Sequence, residues 1–186
     1  MQQQSGERAA WGTLTRERVV TEALQLVDER GLGHLTMKAL ADRLGVGTMS
    51  LYRHVRDRED LLDGIAELLA FEVAVPEVTS GDWRTAVAEL IQSIRDVGLA
   101  HPQAFSLLEL RPTVTDAGAR RQAQAFALLD ASGLSARERA TLARALVSYA
   151  TGFVLSEITG RPDFPGEAAP DHTFSAGLAL LLRSVG

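Results

Sequence analysis

The chain has 186 residues, a length that suits one large domain or two small ones. Its hydrophobic fraction of 46% and charged fraction of 23% are typical of a globular protein, and the absence of cysteine excludes disulfides and a thiolate metal site. The net charge of −5 excludes a uniformly basic nucleic-acid-binding protein, although an acidic total can conceal a local basic patch.

The first part of the chain predicts a flexible arm and four helices. Residues 1–12 have no apolar period and are interpreted as the arm. Residues that cap helix N-termini and glycines that end helices mark most of the helix bounds. The helices run from the Thr15 cap to Gly31, from Met37 to Leu44 after the Thr36 cap, from Thr48 to Val55, and from just after Asp57 to near Pro76.

The second part predicts five more helices. They cover Trp83–Leu99, Ala104–Leu110, Asp116–Ala131, Ser135–Ile158 and Thr173–Val185, with a loop around the prolines at 162, 165 and 170. Ser135 and Glu138 have the spacing of a capping box. No segment alternates apolar and polar residues as a half-buried strand does, so the predicted fold class is all-α.

Two short helices joined by Gly45, Val46 and Gly47 and preceded by a longer helix are typical of a helix-turn-helix unit. Apolar residues of the first helix and the turn are expected to hold the second helix so that it protrudes into a DNA major groove. Residues 36–58 carry five basic and two acidic side chains, a local charge of +3. This local excess favours contact with phosphate.

The predicted second helix of the unit carries side chains suited to base edges. Hydroxyl, methyl-contacting and cationic groups lie at Thr48, Met49, Ser50, Tyr52, Arg53 and His54. Leu51 and Val55, four residues apart, are predicted to face the core. Lys38, at the start of the preceding helix, is predicted to contact a phosphate.

The sequence over residues 14–70 resembles the N-terminal DNA-binding domain of the tetracycline-repressor (TetR) family. The matching motifs are Leu35-Thr36, Leu40-Ala41, Leu44-Gly45-Val46, Leu51-Tyr52, His54-Val55 and Leu61-Leu62. A further likeness, at Arg111-Pro112 and residues 151–155, is to the C-terminal domain of the tetracycline repressor's own branch. The resemblance implies a three-helix DNA-binding head over residues 13–58. It also implies a linking helix and a helical effector-binding and dimerisation domain over residues 59–186.

The resemblance also assigns roles on the DNA side. Thr48, Met49, Ser50, Tyr52 and His54 occupy positions where that branch meets bases and phosphates, and Lys38 occupies the position of a DNA-binding arginine. Arg58 matches a lysine at the phosphate backbone. Met49 and Arg53 replace a proline and an aromatic residue, so the tetracycline operator is not the expected target.

On the effector side, the sequence departs from the tetracycline repressor. Leu107 and Leu110 stand where its histidine and threonine help to bind a drug-chelated magnesium ion, and Ser156 stands at the aligned glutamate. Because magnesium prefers oxygen ligands, no metal or other cofactor is expected. An apolar pocket is expected instead, lined by Leu107, Leu110, Phe126, Tyr149, Phe153 and Ser156, with Arg111 as a possible anchor or a structural residue. Tyr149 and Phe153 could equally be core residues.

Catalytic and membrane functions find no support in the sequence. The four histidines have no spacing typical of a zinc or di-iron site on a helix, and no phosphate loop or nucleophile elbow is present. The longest apolar stretches, such as residues 178–182, are far shorter than the roughly 18–20 residues of a membrane span. The N-terminus lacks the apolar core of a signal peptide.

The resulting hypothesis is a cytoplasmic, ligand-responsive transcriptional regulator and not an enzyme. It is expected to be a repressor that is released from a palindromic operator in double-stranded DNA by a small apolar effector. Apolar residues in excess of one stripe on the last two helices, including Val154 and Leu180, predict a homodimer. The alternative is an all-helical protein-interaction module in which the helix-turn-helix serves only packing.

Overall fold

A computed structural model describes residues 14–77, 82–111, 115–160, 169–183 and 185. Within these ranges every regular element is helical, so the all-α prediction is confirmed. The elements are α1 (Arg16–Arg30), α2 (Met37–Leu44), α3 (Thr48–Leu51), α4 (Arg58–Glu72), α5 (Trp83–Ala100), α6 (Ser106–Leu110), α7 (Asp116–Ala127), α8 (Ala136–Thr159) and α9 (Pro170–Arg183), with 3₁₀ turns at Leu32–His34 and Asp130–Ser132. The predicted N-terminal arm lies outside the described residues.

Local capping explains the helix bounds that the sequence predicted correctly. The hydroxyl of Thr15 accepts a hydrogen bond from the Arg18 amide, and that of Thr36 accepts one from the Ala39 amide. Gly45 ends α2 with φ 66° and ψ 30°, a left-handed conformation that costs glycine nothing. The capping box predicted at the start of α8 is also present.

Several predicted bounds differ from the structure, among them the end of α4, which lies at Glu72 instead of near Pro76. The third helix ends at Leu51 instead of Val55, because residues 52–54 form a turn. The helix predicted from Ala104 begins at Ser106, and α7 ends at Ala127 before a separate 3₁₀ turn. Pro170, assigned to a loop, is instead the first residue of α9, where its fixed φ suits the first helical position and its missing N–H costs nothing. The rest of the predicted loop, residues 161–168, lies outside the described residues.

The buried apolar residues form two cores. The first unites α1, α2, α3 and α4, together with Val97, Ala104 and Leu107 from α5, α6 and the turn between them. The second unites α5, α8 and α9 with Leu128 and Leu129 from the end of α7. Helix α4 therefore belongs to the first core although it also packs on α6 and α7. The division of the chain after residue 58 stays a prediction.

Helices α5 and α8 approach each other closely at Gly98. A Cβ atom at this position would lie 2.6 Å from Cγ1 of Val154 and 2.8 Å from the ring of Phe105, too close for any side chain. Val154 is accordingly buried inside the chain. The prediction that counted it toward a surface between two chains was wrong, whereas Leu180 is 62% exposed.

An ion-paired cluster around a buried arginine joins α5, α8 and α9. Arg95 on α5, which is 4% exposed, donates to both carboxylate oxygens of Glu157 on α8 at 2.7 and 2.8 Å. It also donates to Asp171 on α9 at 2.6 Å. The two carboxylates compensate for the desolvation of the guanidinium.

None of the described helices is both long and apolar enough to cross a membrane.

Candidate nucleic-acid interface and ligand cavity

The α3 segment presents the predicted base-contacting side chains on the surface. Met49 is 77% exposed, Tyr52 and Arg53 are exposed, and Thr48, Ser50 and His54 are half-buried. Leu51 and Val55 are buried in the first core, as predicted. The helix thus splits into an apolar face that anchors it and a polar face that is open to solvent.

Three basic side chains flank this surface, and they differ in what they already bind. Lys38 is exposed in the first turn of α2. The Arg58 guanidinium donates to the carbonyl oxygens of Leu35 at 2.9 Å and Leu32 at 3.0 Å. These hydrogen bonds join the start of α4 to the turn before α2. Arg56, which the sequence analysis did not single out, is 82% exposed. The local positive charge of residues 36–58 was the signal that could have identified it.

An ion pair between α1 and α4 fixes the turn after α3. Arg16 donates to both carboxylate oxygens of Asp60 at 2.7 and 3.0 Å and to the carbonyl oxygen of His54 at 3.1 Å. Asp60 also accepts the Arg56 amide at 2.8 Å. The hydrogen bond from Arg16 is the main cause that lowers the pKa of Asp60. Arg16 thus joins the turn after α3 to the start of α4.

A cavity of about 490 Å³ lies among α5, α6, α7 and α8, within the range of small-molecule sites in proteins. Its lining is mainly aliphatic. The apolar members are Val87, Leu90, Ile91, Leu108, Ala125, Phe126, Leu129, Ala140, Ala143, Leu146 and Val147, and the polar ones are Glu109, Arg111, Gln122 and Arg144. Glu109 and Arg144 form an ion pair at 3.6 Å. The cavity can hold an apolar molecule with few polar groups.

A second cavity of about 220 Å³ adjoins the first and reaches the end of α4. The shared lining residues are Leu90, Leu108, Glu109, Gln122, Ala125 and Val147. Beyond them the smaller cavity is bounded by Phe71 and Val73 and by Arg121 of α7. Together, the two cavities extend from the second core to the C-terminal end of α4, which packs in the first core.

Of the seven effector-binding residues predicted from the sequence, only Arg111 and Phe126 line the larger cavity. The other five lie outside this lining, and their role in effector binding stays a prediction. Leu107 is buried in the first core, and Leu110 is 75% exposed. Consecutive residues of the short α6 face different neighbours, so Leu108 and not Leu107 reaches the cavity.

The remaining three of these five residues lie elsewhere on α8. The rings of Tyr149 and Phe153 pack on Phe174 of α9, with centroid distances of 5.3 and 5.2 Å, which supports the alternative that they are core residues. Tyr149 lies about 200° around the helix axis from Val147, which lines the cavity. Ser156 is half-buried but not part of the lining.

Arg111, Thr115 and Arg121 bind α4, and the two arginines also line the cavities. Arg111 donates to Asp63 at 2.8 Å and to Glu59 at 2.6 Å, and Thr115 donates to Glu67. Arg121 donates to the carbonyl oxygens of Ala70 and Val73 near the end of α4. A ligand in the cavities would therefore lie beside groups that hold α4.

Among the described residues, no group of three or more metal-ligating side chains is suited to hold a metal ion.

An all-helical chain with a helix-turn-helix surface and a separate ligand-sized cavity has the architecture of a bacterial one-component regulator. Two family models match it. Residues 19–65 match the family described as bacterial regulatory proteins, tetR family, and residues 75–175 match the tetracycline repressor-like C-terminal domain. The chain belongs to the TetR family.

Individual relatives agree with this assignment. The chain is 32% identical over 148 residues to an HTH-type transcriptional regulator of Saccharopolyspora erythraea, across 80% of this chain and 63% of that protein. It is 30% identical over 198 residues to the class C tetracycline repressor protein of Escherichia coli, across 91% of this chain and 89% of that protein. It thus spans less than two thirds of the first relative but most of the second.

The fold also matches solved structures. The Streptomyces coelicolor TetR family protein ActR in complex with actinorhodin superposes with a TM-score of 0.82 at 27% identity, across 94% of this chain and 97% of ActR. The similarity covers both the helix-turn-helix region and the helices around the cavities.

Proposed function

We propose that this chain is a ligand-responsive transcriptional regulator, a repressor that leaves its operator when a small molecule occupies the cavity, and not an enzyme. The observation that carries the proposal is the pairing of an exposed helix-turn-helix surface with a cavity whose polar lining also binds α4. Because the target is chromosomal DNA, we place the protein in the bacterial cytoplasm.

On the DNA side, the side chains open to solvent on and after α3 contact the bases. We assign this role to Thr48, Met49, Ser50, Tyr52, Arg53 and His54, and phosphate contacts to Lys38, Arg58 and the strongly exposed Arg56. Two copies would place their α3 segments in successive major grooves, about 34–36 Å apart, on a palindromic operator. Leu155 and Leu180, which stay exposed on α8 and α9, lie where a homodimer interface is expected.

On the effector side, the cavity takes an apolar or aromatic molecule. Arg111 and the Glu109–Arg144 pair are engaged in ion pairs, so we assign the main polar anchor to the amide of Gln122. An effector acts by binding one position of α4 more tightly than another, because only differential affinity shifts an equilibrium. Contacts of Arg111 and Arg121 with α4 provide a physical connection for this shift.

The test is the selection of DNA sequences from a random pool by the purified full chain, followed by gel shift with the enriched sequence. We expect a palindromic sequence that binds at least about a thousandfold more tightly than unrelated DNA. A matched pair of variants separates the loss of a DNA contact from a general loss of positive charge. Arg53→Ala changes the proposed DNA surface, and Arg120→Ala changes an exposed arginine of α7. Enrichment of no sequence by the folded protein would contradict the proposal and favour a protein-interaction module.

A further inference from the structure

His101 lies at the junction between the two cores and contacts two helices of the first. It is the C-cap residue of α5. Its Nδ1 lies 2.8 Å from Oδ2 of Asp28 on α1, and its Nε2 lies 2.8 Å from Oε2 of Glu72 on α4. The side chain is 18% exposed, so the imidazole bridges α1 and α4 in a largely dehydrated position.

Both contacts require a proton on the ring nitrogen. A neutral imidazole has one N–H donor and one acceptor, whereas an ionised carboxylate only accepts. With carboxylate oxygens at both nitrogens, the imidazolium is the form that satisfies both hydrogen bonds. Oδ1 of Asp28 is buried and has no hydrogen-bond partner among the described residues. Loss of the imidazolium charge would therefore leave this carboxylate poorly compensated.

The turn that follows His101 rests on the end of α1. A Cβ atom at Gly31 would lie 3.4 Å from Oε1 of Gln103, and the neighbouring Ala104 is buried in the first core. The bridge therefore lies where the second half of the chain is seated against the DNA-binding head. Because Asp28 and Glu72 approach opposite ring nitrogens, the three side chains are not arranged around a single metal ion.

Within the described part of the chain, the charged groups that influence His101 are Asp28 from α1 and Glu72 from α4. Burial by itself lowers the pKa of the imidazole. The hydrogen bonds and negative charges of the two carboxylates outweigh burial and raise the pKa above its ordinary value. A raised pKa in the folded state means that the bridge stabilises the structure fully below the ordinary histidine pKa. This stabilisation is lost as the pH rises through the folded-state pKa.

We propose that His101 is a proton-dependent latch that holds the ends of α1 and α4 against the α5–α6 turn and releases them when its imidazole becomes neutral. The proton thus acts on the seating of the DNA-binding head independently of any molecule in the cavities. The proposal does not rest on the proposed function, because its test measures neither DNA nor effector binding.

The experiment is amide hydrogen exchange of the full chain between pH 6 and pH 9, corrected for the intrinsic pH dependence of exchange. The last turns of α1 and α4 are monitored. We expect their opening equilibrium to increase with pH, up to about tenfold for each pH unit by which the His101 pKa exceeds that of the opened state. His101→Gln keeps a hydrogen-bonding side chain but does not titrate, so its corrected exchange should be independent of pH over this range.

His172→Gln removes an exposed histidine of α9 and should behave as the wild type. A nuclear magnetic resonance titration of the His101 ring in the wild type, and in Glu72→Gln, keeps the test valid if His101→Gln does not fold. The pKa is expected above the ordinary histidine value and lower in Glu72→Gln. A His101 pKa at or below the ordinary value, or an unchanged pH dependence in His101→Gln, would overturn the proposal.

Discussion

At the scale of single residues, the surface proposed to bind DNA depends on a side chain that holds its backbone in place. Arg16 binds Asp60 and the carbonyl oxygen of His54, and so holds the turn that carries Tyr52 and Arg53. These two residues are exposed and make the direct contacts in the proposed complex. Residues that position the turn and residues that read DNA should therefore respond differently to substitution.

Arg53→Ala and Tyr52→Ala should each weaken binding to the selected operator by about 1–3 kcal/mol, because each removes a base or phosphate contact. Their unfolding midpoints should match the wild type, since both side chains are exposed. Arg56→Ala, in contrast, should weaken binding to all sequences similarly and reduce the salt slope by about one. Fluorescence anisotropy at several salt concentrations measures both effects. Unchanged affinity in all three folded variants would contradict the assignment of this surface.

Asp60→Ala should lower the free energy of unfolding by about 1–3 kcal/mol, because a buried carboxylate that accepts several hydrogen bonds is removed. The lowered pKa of Asp60 means that its contribution is present above the ordinary aspartate pKa and is lost as pH falls through the folded-state pKa. The difference between the wild type and the variant should thus shrink in acid. Urea unfolding at neutral and acid pH measures this difference in the free energy of unfolding. Glu17→Ala, which changes an exposed residue of α1, is the control.

At the scale of elements, local signals were predictable from the sequence and tertiary contacts were not. The caps at Thr15, Thr36 and Ser135 depend on residues within one turn, and their helices begin where predicted. The turn after α3 is held by Arg16, thirty-eight residues from His54 in the sequence. The rotation of α6 and α8 about their axes depends on their neighbours. The sequence therefore identified the elements around the cavity, but five of the seven predicted effector-binding residues lie outside its lining.

Arg95 provides a prediction for the α5–α8–α9 assembly. Arg95→Leu should destabilise the fold by about 3–5 kcal/mol, because the largely buried carboxylate of Glu157 loses its partner. The double variant Arg95→Leu with Glu157→Leu should recover most of this loss, since replacing a buried pair with apolar residues is often neutral. Thermal and urea unfolding of the three proteins measure both steps. Equal stability of the wild type and the single variant would contradict the role of the cluster.

At the scale of the whole molecule, α4 is the element that both parts of the chain share. It is buried in the first core with α1, and it is held from the other side by Arg111, Thr115 and Arg121. The motifs of residues 14–70 were sufficient to predict the TetR family from the sequence. They were not sufficient to predict which residues line the cavity. The alignment to the tetracycline repressor could not specify which α6 residue faces inward.

Ala125→Phe provides a test of the cavity, because Ala125 lines both of its parts. The added ring should block entry and weaken the response to any apolar effector at least about tenfold, while operator affinity stays within a few fold. Ala127→Phe is the matched control, since Ala127 is exposed on the same helix. Release from the operator is measured over a panel of apolar aromatic compounds and tetracycline with magnesium, the latter expected to be inactive. A full response in Ala125→Phe would place the effector elsewhere.

The central claim is that one chain couples sequence-specific DNA binding to occupancy of its cavity. The most direct measurement is the operator dissociation constant of the full chain, with and without an active compound from the panel, in the wild type and in Ala125→Phe. The account predicts a dissociation constant that increases at least about tenfold with the compound in the wild type and remains unchanged in the variant. An operator affinity that no cavity-binding compound alters, or one that changes equally in both proteins, would contradict it.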